Sequence, residues 1–215
     1  LQLEQIPLLQ LHNALGLHRR PATSCLGLAE LEQVITAFDK LQSSGKIHAW
    51  GINGLGDTDA LHQAVAHSEA ATIQICYNLL NPSAGRVMPP DFPFQDYRNL
   101  IPAAGRMQMG VIAFRVLAGG ALSGQTDRHP TAASSVDPIA SGHDYETDQA
   151  HSRAFDYLVS QGWVTSLAEA ALRFAVSHVG VATALVGFSS MDHLEQAVAA
   201  VNRGALPPNV TATFA

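Results

Sequence analysis

The chain has 215 residues, enough to bury a substantial core and most simply read as one domain. Hydrophobic residues make up 47% and charged residues 14%, a balance that suits a globular protein and excludes wholesale disorder. With 12 Lys plus Arg against 18 Asp plus Glu the formal charge is -6, which disfavours a nucleic-acid partner while leaving room for a local phosphate site.

The start, LQLEQIPLLQLHN, lacks the basic stretch and small-residue cleavage pattern of a secretion signal, and no apolar run is long enough for a membrane helix. A cytoplasmic protein is expected. The first residue is not Met, so a processed or incomplete chain stays open. Within this start, IPLLQLHN predicts a buried strand ending at the polar pair His12 and Asn13. Cys25 follows; with Cys76 it is one of only two cysteines, too few for a disulfide framework or a cysteine-rich zinc site. A reduced interior is the simpler reading, although their separation leaves one disulfide open.

The segment LGLAELEQVITAFDKLQSSGKI predicts a helix, with Leu31, Val34, Ile35, Phe38 and Leu41 on one face and its end near Lys40 and Gly45. KIHAWGIN reads as the next strand, DTDALHQAVAHSEA as a helix, TIQICYN as a strand and YRNLIPAAGRMQ as a shorter helix. GVIAFRVLAGGALSG then combines a strand with an arginine and a glycine turn. The polar, Gly- and Pro-containing run QTDRHPTAASSVDPIASGHDYETD reads as an excursion beside the core. Helical patterning resumes in QAHSRAFDYLVSQG and in SLAEAALRFAVSHV, where Ser166 and Glu169 have capping-box spacing. ATALVGFS is the fifth strand candidate and MDHLEQAVAAVNRG the closing helix.

This alternation predicts parallel strands joined by helices, arranged either as an open doubly wound sheet or as a curved part of a barrel. In both, polar residues just after the strand ends share one functional face. His12 there can donate a hydrogen bond to a carbonyl oxygen, exchange a proton, or serve only the fold. Gln74 has an amide suited to another amide, and Phe114 a ring that can stack on a flat ligand or pack in the core. Arg115 needs an anion, from a ligand or from an Asp or Glu. Gly119 and Gly120 suit a turn or the approach of a phosphate. Near Ser189, Ser190 and His193, an Asp192 cap competes with anion binding. The remaining histidines show no metal-ligand spacing, so no metal site is expected.

Taken together, LLQLHN, SGKIHAWGIN, TIQICYNLLN, GVIAFRVLAGGALSG and LVGFSSMDHLEQAVAAVNRGALP closely resemble the aldo-keto reductase family. The resemblance implies an α/β fold of (β/α)8 TIM-barrel type and NAD(P)H-dependent reduction of an aldehyde or ketone, or the reverse alcohol oxidation. It implies that His12 is the active-site histidine, that Gln74 contacts the nicotinamide carboxamide and that Phe114 stacks on the nicotinamide. Arg115, Val116, Leu117, Gly119 and Gly120 then surround the cofactor phosphates, while Gly187, Ser189, Ser190, His193 and Gln196 lie near the adenosine end. Two departures stand out. Asn53 and Gly54 replace a Ser-Asn pair that contacts the cofactor, and Ser190 and His193 stand where basic side chains often select a 2'-phosphate. NADPH is favoured over NADH.

LLQLHN resembles the family's fourth strand, although it lies almost at residue 1. The expectation is therefore a C-terminal portion with three strands and the family's aspartate, tyrosine and lysine missing. That implies an incomplete barrel of about five strands out of eight, and an isolated fragment without efficient turnover. A missing N-terminal segment or self-association would be its partner. A noncatalytic nucleotide-binding or partner-dependent structural protein is the alternative.

Overall fold

The computed structural model describes residues 3–211. Strand β1 (Ile6–Gln10) leads through the short strands β2 (Leu15–Gly16) and β3 (Leu26–Gly27) to helix α1 (Leu28–Ser43). Strand β4 (Ile47–Asn53), helix α2 (Thr58–His67), strand β5 (Thr72–Cys76), helix α3 (Leu100–Arg106) and strand β6 (Gly110–Phe114) follow. Beyond the glycine turn come α4 (Tyr145–Ser152), α5 (Tyr157–Ser160), α6 (Leu167–Ser177), β7 (Val181–Ala184), α7 (Met191–Asn202) and α8 (Pro208–Thr211).

Five strands form one parallel sheet in the order β1-β4-β5-β6-β7, as the alternating pattern predicts. Because the strands run the same way and pair in near-continuous register, their C-terminal loops emerge at one end. Trp50, Ile52, Ile73, Ile75, Val111 and Ala113 are buried in the core beside residues of α2, α3 and α6. Each such Ile or Val contributes about 1.5–3 kcal/mol on burial. Trp50 meets Phe38 of α1 with ring centroids 5.6 Å apart. The intervening residues Ala49, Thr72, Gln74 and Ile112 are only half-buried.

The structure corrects several local expectations. The first strand stops at Gln10 and the last at Ala184, so His12 and Gly187 lie in the following loops. Leu41 turns outward from α1. The helix expected around residues 149–162 is broken by a tight turn at Arg153–Phe155. Its first part starts earlier, at Tyr145, because the Asp144 side chain accepts from Thr147 N and caps it. The β2/β3 pair is too short to show a period in sequence.

The expected capping residue of α6 is in place: Ser166 Oγ accepts from Glu169 N at 3.1 Å. Replacing Ser166 by Ala should cost about 1 kcal/mol, read as a lower urea midpoint with an unchanged m-value. Cys25 and Cys76 are both free and buried. Among the described residues no helix is long and apolar enough to cross a membrane, and no group of three or more His, Cys, Asp or Glu could hold a metal ion.

Candidate active site at the C-terminal ends of the strands

The parallel register sets the geometry. Asn53 at the end of β4 pairs with Gln74, and two residues further along Cys76 pairs with Phe114, so the ends of β5 and β6 stand side by side one step beyond the end of β4. Asn53 is 5% exposed. Its Nδ2 donates to the His12 carbonyl oxygen at 2.7 Å, pinning the loop that carries the exposed His12 ring. Its Oδ1 is buried with no hydrogen-bond partner. A buried amide oxygen left alone costs roughly 1–3 kcal/mol, so this atom calls for a donor. Gln74 is half-buried beside it; its carbonyl oxygen accepts from Gly54 N at 2.6 Å.

Phe114 ends β6 half-buried against the core. The next residue, Arg115, has φ 57°, a left-handed backbone that costs a non-glycine residue about 1–3 kcal/mol. That conformation is held by bonds to the Arg115 carbonyl oxygen, from Ala118 N at 2.7 Å and from the buried Asn78 Nδ2 at 2.9 Å. Among the described residues no carboxylate pairs with the Arg115 guanidinium. Val116 is buried and Leu117 half-buried, anchoring the turn. Gly119 and Gly120, at φ 69° and 110°, continue it where a side chain would be strained. A Cβ on Gly119 would lie 2.9 Å from Arg115 Nη1.

The excursion closes over this turn. Arg128 donates to Gly119 O at 2.9 Å and to Ala133 O at 2.6 Å, and its guanidinium lies 4.9 Å from the centre of the Tyr145 ring. Arg128 and Tyr145 are residues that sequence reasoning left in a polar run; a lone cation there was the only signal. Farther along, Ser190, and not Asp192, caps α7 by accepting from His193 N at 3.2 Å. The His193 ring accepts from Ser189 N and lies 5.4 Å from that of His129. Thr131 Oγ1 donates to Ser189 O at 3.1 Å, tying the excursion to the start of α7. Gly187 and Gln196 are exposed there. His12, Asn53, Gln74 and Phe114 thus belong to the strand ends, while Ser189, Ser190, His193 and Gln196 flank the far side of the excursion.

Two other groups drop out as chemistry. Burial pushes the Tyr77 hydroxyl up to about 12, and its ring stacks on Phe174 at 4.9 Å. Burial likewise pushes the Cys76 thiol up to about 12, against the opposing pull of Arg115. Neither is a ready proton donor or nucleophile near neutral pH.

Fold and site define an α/β protein with polar groups gathered beyond the C-terminal ends of a parallel sheet. The profile of the Aldo/keto reductase family matches residues 1–215, and the chain belongs to that family. An aldo-keto reductase from Bacillus halodurans in its apo form is similar over 97% of this chain and 60% of its own, at 22% identity and TM-score 0.64. One from Klebsiella pneumoniae, in complex with NADPH, is similar over 99% of this chain and 58% of its own, at 22% identity and TM-score 0.62. Such likeness establishes the fold. The chain thus spans about three fifths of the length of these relatives. No curated protein matches it.

The family match corrects the description of this chain as a C-terminal portion, because membership holds over the whole of the sequence. It runs over all 215 residues, so the α/β aldo-keto reductase-type fold, with its five-stranded parallel sheet, is described over the full chain in place of a count of strands out of eight. The expectations attached to that count, a truncated chain, a catalytically incomplete enzyme, an inactive isolated fragment and a missing N-terminal segment as partner, are not carried forward.

Proposed function

We propose that this chain is a single-domain, NADPH-dependent oxidoreductase that interconverts an aldehyde or ketone with its alcohol at the C-terminal ends of its strands. One observation carries the reading: Arg115, a cation with no carboxylate partner among the described residues, lies beside a glycine turn at one side of a site whose other side holds a buried, unpartnered amide oxygen, Asn53 Oδ1. These are the two recognition needs of a nicotinamide nucleotide, an anion site and a polar edge for a carboxamide. Phe114 would stack on the nicotinamide, and Gln74 with Asn53 would bond its carboxamide. Arg115 and the turn from Val116 to Gly120 would hold the phosphates. Gly187, Ser189, Ser190, His193 and Gln196 would face the adenosine end. NADPH, the ligand of the Klebsiella pneumoniae relative, is favoured over NADH.

When bound, the reduced nicotinamide supplies the hydride that a carbonyl carbon accepts. His12 would orient that carbonyl by donating from its imidazole to the oxygen, and Asn53 fixes the backbone from which it does so. The two free, buried cysteines favour a cytoplasmic setting.

Titration with NADPH tests this reading. Arg115→Ala should weaken binding about ten- to hundredfold through loss of a charge-assisted phosphate contact. Phe114→Ala should weaken reduced nicotinamide mononucleotide and leave adenosine 2',5'-bisphosphate unchanged. Equal, small effects of both variants on every ligand would reject the assigned roles.

A further inference from the structure

One layer beneath the strand-end residues lies a polar contact that the site does not use. Gln10, Gly51 and Thr72 are register partners across β1, β4 and β5. They stand two residues before His12, Asn53 and Gln74, and the period of two puts Gly51 and Thr72 on the same sheet face as Asn53 and Gln74. Gln10 Nε2 donates to Thr72 Oγ1 at 2.6 Å, spanning from a strand to its next-nearest neighbour. Gly51 makes the span feasible: a Cβ there would run into Thr72 Oγ1 and lie 2.6 Å from Gln10 Oε1 and 2.7 Å from Nε2. Gln10 Oε1 is buried without a partner. With the amide reversed, Thr72 would donate instead, so the bridge does not depend on which end faces it.

Backbone ladders fix each strand against its immediate neighbour. They leave softer the angle accumulated across two strand pairs, which twist sets. A side-chain link from β1 to β5 constrains that angle directly. We propose that Gln10 and Thr72 are positioning residues, a brace over Gly51 that holds His12 and Gln74 at the separation a bound nicotinamide and its carbonyl partner require. The inference rests on the nucleotide reading above and adds two residues and a space-making glycine to it.

The test uses Gln10→Leu, Thr72→Val, their combination and Gln10→Glu, whose carboxylate can still accept from the Thr72 hydroxyl. Gln10→Leu and Thr72→Val should each weaken reduced nicotinamide mononucleotide about tenfold, with the double variant no weaker than either single one. Gln10→Glu should recover most of the affinity, and adenosine 2',5'-bisphosphate should bind all variants within about twofold of wild type. Without ligand, the Gln74 side-chain amide and His12 ring NMR signals should shift in the brace-breaking variants, while distant amides keep their positions. Unchanged nicotinamide affinity, equal loss for both probes, or additive single effects would overturn the brace. If the wild type bound neither probe, the nucleotide reading would fail and the NMR signals would decide: shifts at both residues support the brace, and unmoved signals sink it.

Discussion

Replacing Glu169 by Ala should cost about 3–5 kcal/mol at neutral pH, the largest loss from any single charged residue described above. Its carboxylate is 5% exposed and serves four donors. Oε2 accepts from Thr165 N, Thr165 Oγ1 and Arg203 Nη1, and Oε1 from Arg173 Nη1. Arg173 also donates to Gly204 O and Ala205 O, so α6 holds the chain where it leaves α7. Removing the carboxylate strands the nearly buried Arg173 without a counter-charge. Burial alone would raise the Glu169 carboxyl, but bonds from Thr165, Arg173 and Arg203 outweigh it and hold it down to about 2. A lowered folded-state value means that the stabilisation is complete above the ordinary 4.5 and is lost as pH falls through about 2. Urea unfolding at pH 7 and at steps below 4.5 should therefore show the wild type losing its advantage over Glu169→Ala as the solution acidifies. A variant within about 1 kcal/mol of wild type at pH 7 would refute the hub role.

Gly54→Ala should also be severe, at about 3 kcal/mol, and should abolish nicotinamide binding in what folds. A Cβ at 54 would run into the Gln74 carbonyl oxygen, the same atom that accepts from Gly54 N at 2.6 Å. To make room, β4 and β5 must part where Asn53 and Gln74 sit. Calorimetry would give the stability loss and NADPH titration the functional one. Wild-type affinity in a folded Gly54→Ala protein would show that this contact does not set the site.

This second position marks how far the sequence could be read. Alternating strand and helix patterns predicted the parallel order, because buried strands and amphipathic helices advertise themselves by period. The pair Asn53 and Gly54 stood out only as a departure from a resemblance. That Asn53 bonds the His12 carbonyl, or that Gly54 must lack a side chain, follows from strand register, which no local pattern encodes. The Ser166 cap was legible from spacing, yet Glu169 reaches back to Thr165 N instead of Ser166 N because two arginines draw its carboxylate. At α7, Asp192 was the expected cap, and backbone geometry decided for Ser190. Arg128 and Tyr145 were illegible, since only the folding of the excursion onto the glycine turn brings them together.

The hydrogen bond from Thr131 to the Ser189 carbonyl joins segments 58 residues apart in the chain. Under the nucleotide reading proposed above, re-engineering of cofactor preference would begin with Ser190 and His193, yet His193 also meets His129 on the excursion. Exchanging it for a lysine or arginine would alter the footing of the excursion as well as the charge offered to a ribose phosphate. A change of preference therefore calls for residues 129–131 and 189–193 to be varied as one library, because selection at either segment alone would score the fit of the other.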